Sequence, residues 1–139
     1  MSGCENKEIF KEQYINYKKQ LFSSDMFTND DNLPFEINID LKKENGVVKY
    51  NVIISDAKEE LNDVQVLVVH NQITNEVYPS IGIFDEKRNL FPLDDSKLEL
   101  VGYFESVKDI EEVVVNFKFV IKYVSKEGDK KVIYYKTTK

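Results

Sequence analysis

Cysteine, histidine, arginine and tryptophan are nearly missing from this chain. Its 139 residues hold one Cys (Cys4), one His (His70), one Arg (Arg88) and no Trp. A lone cysteine excludes any disulfide within the chain, which needs two thiols. One Cys and one His also fall short of a zinc site of familiar type, whose four ligands are dominated by these residues. A single arginine leaves bidentate recognition of phosphate or guanine little to work with. The net charge of −6 argues further against nucleic acid, whose affinity comes from cations neutralising phosphates. Without Trp there is no indole platform for a sugar, and nothing singles out one carboxylate pair for glycoside hydrolysis. Long apolar runs are absent too. Pieces such as Val113-Val114-Val115 are far shorter than a membrane span.

What is present fits one domain. The length suffices to bury a single core without disulfides, and the hydrophobic (42%) and charged (32%) fractions lie in the globular range. Lys, Asn, Ile and Tyr are frequent, a usage shared with proteins of AT-rich bacterial genomes.

Two periodicities divide the chain. Over residues 5–22, Phe10, Tyr14, Tyr17 and Leu21 recur at helical spacing, flanked by Ile9 and Phe22, while Glu8, Lys11, Glu12, Lys18 and Lys19 fill the other face. This predicts one amphipathic helix. The stretch around Thr28-Asn29-Asp30-Asp31-Asn32, with Pro34 after it, reads as a loop or linker. From Phe35 the period becomes two, with Phe35, Ile37, Ile39 and Leu41 alternating with polar residues. Asn45-Gly46 then marks a hairpin, because both residues accept positive φ, and the return strand runs Val47 to Ser55. Asp56 to Asp63 reads as a polar connection. Val64 to His70 is apolar on both faces, as expected of an interior strand. Val77 to Phe84 reads as a strand broken by Pro79 and Gly82. Asp85 to Asn89 is a turn, Leu90 to Leu93 a short extended piece, and Leu98 to Glu105 a strand. Val113 to Val124 and Val132 to Thr137 close the chain as a hairpin around Lys126-Glu127-Gly128-Asp129. The fold class is mainly β, an antiparallel β-sandwich of seven or eight strands with one N-terminal helix. Phe117, Phe119 and Ile121 are its expected core.

The candidates for chemistry are few. His70 reads as a strand-end histidine at the surface, with no nucleophile motif in reach, so no catalytic residue is assigned. Asp30 and Asp31 in one loop and Asp94 and Asp95 in another offer hard oxygen ligands for calcium. They lack the EF-hand spacing and read first as turns, and no cofactor is expected. From Lys118 to Lys139 lysines outnumber acids, the pattern of a solvated strand face with protected edges; contact with an anionic polymer or lipid headgroup is the sharper alternative. The stripe Phe10, Tyr14, Tyr17 and Leu21 is the candidate partner-binding surface if the helix projects, with self-association through paired helices as the outcome. If the helix folds back, as the length of the linker permits, the stripe is core.

Ser2-Gly3-Cys4 ahead of a polar stretch resembles the end of a bacterial lipobox, with Met1 in the place usually held by an apolar residue. The resemblance implies a bacterial lipoprotein, acylated at Cys4 and held to the membrane outside the cytoplasm. A true start at Met1 would instead place the protein in the cytoplasm. The strand pattern resembles the immunoglobulin-like domains of bacterial surface proteins. It departs from antibody-type domains in lacking the inter-sheet cysteines and the core Trp. Residues 1–33 are then the lipidated N-terminus, helix and linker, and 34–139 the immunoglobulin-like sandwich. The expected function is a non-catalytic cell-surface binding module that engages a protein partner, not nucleic acid, through a sheet edge or inter-strand loops. Two rivals remain open: a metal-dependent ligand binder or hydrolase built from the acidic loops, and an intracellular inhibitor or phage-encoded decoy of the same fold.

Overall fold

The computed structural model describes residues 3–23, 27, 33–72, 77–93 and 96–139, with side chains from residue 11 onward. The leader forms a helix, α1, over Gly3–Ser23. Its last turn is closed by Ser23, whose Oγ donates to the Lys19 carbonyl at 2.7 Å.

The opening hairpin follows the alternation. Strand β1 spans Glu36–Glu44 and β2 spans Val47–Ser55, paired without a break from Glu36↔Ser55 to Glu44↔Val47. Asn45 and Gly46 make the turn with φ of 53° and 79°, two consecutive left-handed residues whose twist matches that of the strands. Strand β3 runs Leu61–His70, three residues earlier than the periodicity implies. A register shift between Leu61 and Val64 hides its start: Asp63 turns left-handed (φ 51°) while Leu61 stays fully buried. The broken segment leaves only β4, Ser80–Ile81. Part of the expected turn is instead β5, Arg88–Leu90. Strand β6 spans Leu98–Glu105, as the alternation predicts. A 3₁₀ turn at Ile110–Glu112 precedes β7, Asn116–Val124, and β8, Lys130–Thr138.

Strands are the predominant element among the described residues, so the protein is mainly β. Among the described residues the strands form two antiparallel sheets, one ordered β1-β2-β6 and the other β4-β3-β7-β8, with β5 also paired to β3. Their inner faces share one core. Val48, Tyr50, Val52, Leu100 and Phe104 of the first sheet meet Val66, Val68, Phe117, Phe119 and Ile121 of the second. This is a sandwich-like arrangement, and Phe117, Phe119 and Ile121 are all fully buried in it.

A second apolar cluster lies on the outer face of the larger sheet. There Tyr14, Tyr17 and Leu21 of α1 pack on Leu67 and Val69 of β3 and Val120 of β7, with Ile83. The helix cover explains why β3 is apolar on both faces. It also withdraws Tyr14, Tyr17 and Leu21 as a partner-binding surface, since the chain's own sheet occupies them; the side chain of Phe10 lies outside the described residues. α1 crosses the sheet from Tyr14, whose ring lies tilted against Phe84 at 5.5 Å, to Gln20, which accepts a hydrogen bond from the Tyr134 hydroxyl of β8 at 3.1 Å.

A polar network fixes that crossing. The Gln65 amide nitrogen donates to the Gly82 carbonyl (2.8 Å) and to Gln13 Oε1 (3.3 Å). Gln13 in turn donates to the Tyr17 hydroxyl (3.1 Å), which donates to Gln65 Oε1 (3.4 Å). Gln65 is thus buried beneath the helix with both ends of its amide satisfied, as a buried amide requires. Gly82 sits where it does because its φ is 77° and a Cβ would lie 2.7 Å from the Val64 carbonyl oxygen.

Candidate functional site

Of the residues proposed for chemistry, His70 alone has a described side chain. Cys4 lies in the first turn of α1, and its side chain, like Asp30, Asp31, Asp94 and Asp95 altogether, falls outside the described residues. Among the described residues, no three His, Cys, Asp or Glu are gathered as metal ligands.

His70 is not at the surface. Only 2% of it is exposed, because β3 ends inside the sandwich and the topology brings three other strands around it. Its ring lies 5.2 Å from Tyr50 of β2, 5.2 Å from Phe104 of β6 and 6.3 Å from Phe117 of β7, with Tyr78 closing the nest at 5.1 Å. Nδ1 accepts the Gln72 backbone N–H at 3.0 Å, while Nε2 is buried with no partner. Burial pushes the imidazole down to about 4, so it stays neutral at physiological pH. Tyr50, beside it, is pushed up by the same burial. The Tyr50 ring lies over its cross-strand partner Gly102, where a Cβ would fall 2.2 Å from Cζ and Oη. The nest is therefore a packed plug, and it holds no space for a substrate.

The lysines of the closing hairpin are only partly a solvated ribbon. Lys122 Nζ stands 4.9 Å from the Tyr17 ring centre, and Lys118 and Lys136 bracket Phe27 at 5.7 and 5.2 Å. These cations cap aromatic faces along the seam between leader and sheet, leaving Lys130 and Lys131 in the open on β8.

Two surfaces have the form of a binding site. The first is the end of the sandwich where Ser55, Leu61, Leu90, Leu98, Val124 and Lys130 lie together, so that the connections β2–β3, β5–β6 and β7–β8 are neighbours. A cleft of about 320 Å³ lies there between Glu59, Glu60, Pro92, Lys126 and Glu127. Glu59 is held by the Tyr123 hydroxyl at 3.0 Å; burial, and then this carboxylate, push that hydroxyl up to about 12. At the rim the backbone at Leu93 is left-handed (φ 63°), an unfavourable conformation for a branched side chain, and the side chain is fully exposed at 106%. With Phe91, also exposed, it makes an apolar knuckle. The sequence pattern predicts an extended piece over Leu90–Leu93; a run of Phe-Pro-Leu between two strands is the one sequence sign of a protruding tip.

The second surface is the outer face of the smaller sheet, which no helix covers among the described residues. Lys42, Glu44, Asn45, Val47, Lys49 and Tyr103 line a shallow depression of about 540 Å³ across it. Compared with known protein families and with curated proteins, the chain matches none.

Proposed function

We propose that this protein is a non-catalytic binding module of immunoglobulin-like type, anchored outside the bacterial cytoplasm through an acylated Cys4, and that it engages a protein partner with the loop end of its sandwich. The observation that carries the binding reading is the Phe91-Pro92-Leu93 knuckle. A large apolar side chain held fully in solvent on strained backbone has no role in packing, and such strain collects at functional sites. Next to it the Glu59–Lys126 cleft supplies charges of both signs to orient a partner. An apolar anchor beside a polar rim is the form of a protein–protein hot spot.

The immunoglobulin-like reading is supported by strand order. With β1, β2, β3, β6, β7 and β8 taken as A, B, C, E, F and G and β4 as C′, the sheets read A-B-E and C′-C-F-G. Loops clustered at one end of such a sandwich are where binding is commonly built.

The anchor rests on Ser2-Gly3-Cys4. An acyl chain at Cys4 would stand ten positions before the buried Tyr14, about 15 Å of helix between membrane and domain. Stable attachment needs more than one acyl chain, which lipoproteins carry.

Both halves are testable. Expressed from its native gene in labelled palmitate, the protein is expected to carry label and partition into detergent, and Cys4→Ala to do neither; an unlabelled wild type overturns the anchor. For binding, a photo-crosslinking residue at position 93 is expected to give a discrete adduct on intact cells, and the same residue at 136 to give none. Equal adducts, or none at 93, overturn the loop-end reading.

A further inference from the structure

We propose that the outer face of the larger sheet, with α1 lying on it, is a membrane-facing surface that seats the domain on anionic lipid headgroups. The proposal deepens the anchored reading and rests on it for a membrane within reach.

Lysines collect on this face beyond what the fold asks of them. Val120 of β7 and Tyr134 of β8 pack beneath the helix, so the period of two puts Lys118, Lys122, Lys130 and Lys136 on the same side. The described side chains of α1 add Lys11, Lys18 and Lys19, with Glu12 as their one acid. Seven cations thus share the helix and the two strands with a single carboxylate. The neighbouring turn, Asp85 to Arg88, is neutral, with two acids and two bases. Among the described residues none of the seven lysines is in an ion pair. Edge protection accounts for Lys130 and Lys136 on β8. It does not account for Lys118 and Lys122, because β7 is an interior strand between β3 and β8. Lys118 also stands directly opposite Lys136, a like-charge pair that costs the sheet stability.

The far side of the molecule has the opposite sign. On the outer face of the smaller sheet Glu36, Asp40, Glu44, Glu99 and Glu105 outnumber Lys42 and Lys49. A sheet-to-sheet spacing of about 10 Å and a helix about 10 Å across separate the two surfaces. That exceeds two Debye lengths of about 8 Å, so the net charge of −6 does not govern the basic side. Charge alone would suit any polyanion; the apolar groups among the lysines select a lipid surface. Phe22, Phe84 and Val132 are half-exposed here, Phe22 against Tyr78, Phe84 against Tyr14 and Val132 opposite Lys122. Apolar side chains set among lysines are the composition of an interfacial patch, which enters the headgroup layer while the ammonium groups meet phosphate. Rings of Tyr14, Tyr17 and Phe27 hold four of the lysines in place, and an ammonium with three donors keeps N–H groups for a phosphate oxygen. Cys4 lies in the first turn of the helix that crosses this same face, and a basic patch adds to the hold of an acyl anchor.

The test uses the unacylated full chain and two kinds of vesicle, one of phosphatidylcholine alone and one mixed with phosphatidylglycerol. Co-sedimentation is expected to find the protein on the phosphatidylglycerol vesicles only, and less of it as salt rises. K11Q/K19Q/K130Q should weaken binding by about fivefold per lysine, on the order of a hundredfold together. K58Q/K97Q/K108Q makes the same change in charge at exposed positions off this face, and should bind as wild type does. With a gadolinium-chelating lipid in the vesicle, NMR should show broadened amides in α1, β7 and β8 and spared ones in β1, β2 and β6. Binding to neither vesicle or equally to both, equal loss in the two triple variants, broadening centred on the smaller sheet, or tighter binding to soluble poly(glycerol phosphate) than to vesicles would each overturn the proposal. Vesicle binding by a chain whose Cys4 takes no palmitate in cells would discard the acyl anchor and keep the face. A labelled Cys4 without vesicle binding would discard the face and keep the anchor.

Discussion

Protonating His70 should destabilise this protein, and a chain with a single histidine makes the effect unusually clean to measure. In the folded state the imidazole sits among Tyr50, Phe104, Phe117 and Tyr78, with its Nε2 unpartnered, and burial lowers it from 6.5 to about 4. In the unfolded chain it titrates near its ordinary value of about 6.5. The unfolded state therefore binds the proton first. The stability that His70 contributes is present in full above pH 6.5, falls as pH drops below that value, and is lost once pH passes about 4. At about 1.4 kcal/mol per tenfold the loss is at most about 3 kcal/mol, with a slope no steeper than one proton. Urea denaturation between pH 7.5 and 4, set beside His70→Leu, isolates it: the variant keeps the volume, gives up one hydrogen bond to Gln72 and lacks the acid-dependent loss. The imidazole proton resonance, the only one of its kind, reads the pKa of the folded state directly. A resonance that titrates near 6.5, or identical pH dependence in wild type and variant, would refute the reasoning.

Three further outcomes follow from packing. Gly102→Ala should destabilise by about 1–3 kcal/mol or more, because the new methyl meets the buried Tyr50 ring and the strand cannot yield without losing its register; a urea midpoint equal to wild type would mean the ring has room to move. Leu21→Ala should cost about 2–5 kcal/mol through the cavity beneath α1, whereas Phe22→Ala on the adjoining half-exposed position should cost far less, and equal shifts in melting temperature would mean the helix does not dock as described. Gln65→Leu should lower stability by about 1–3 kcal/mol by stranding the Tyr17 hydroxyl and the Gly82 carbonyl, and exchange at the amides of α1 should rise with it.

Where one face of a strand is buried and the other solvated, the period of two marks strand and face together. β1, β2 and β6 were legible for that reason, and so was the Asn45-Gly46 turn, whose chemistry is local. β3 betrayed its two-sided burial through Val64 to Val69, but not its start, since the shift at Asp63 puts Leu61 out of step with the alternation. β5 was invisible because three residues carry no period. The helix was legible as a helix; that its aromatic stripe is core depended on a matching apolar face, and Leu67, Val69 and Val120 supply it.

The sites were less legible than the fold, for a different reason. His70 and Asn71 look like a polar strand end, and only the convergence of residues 50, 78, 104 and 117 turns that end into an interior. Lys118, Lys122 and Lys136 look like a basic face, and only the seating of the leader gives them aromatic partners. In both cases the residue type is read correctly and its surroundings are not, because those surroundings come from strands distant in the chain. The same logic runs the other way for Leu93. An apolar side chain is read as core unless something says otherwise, and here left-handed backbone holds Leu93 in solvent. The sandwich uses its aromatic residues to seal one end and to seat one helix, so the apolar surface left over at the loop end is surface that packing does not need.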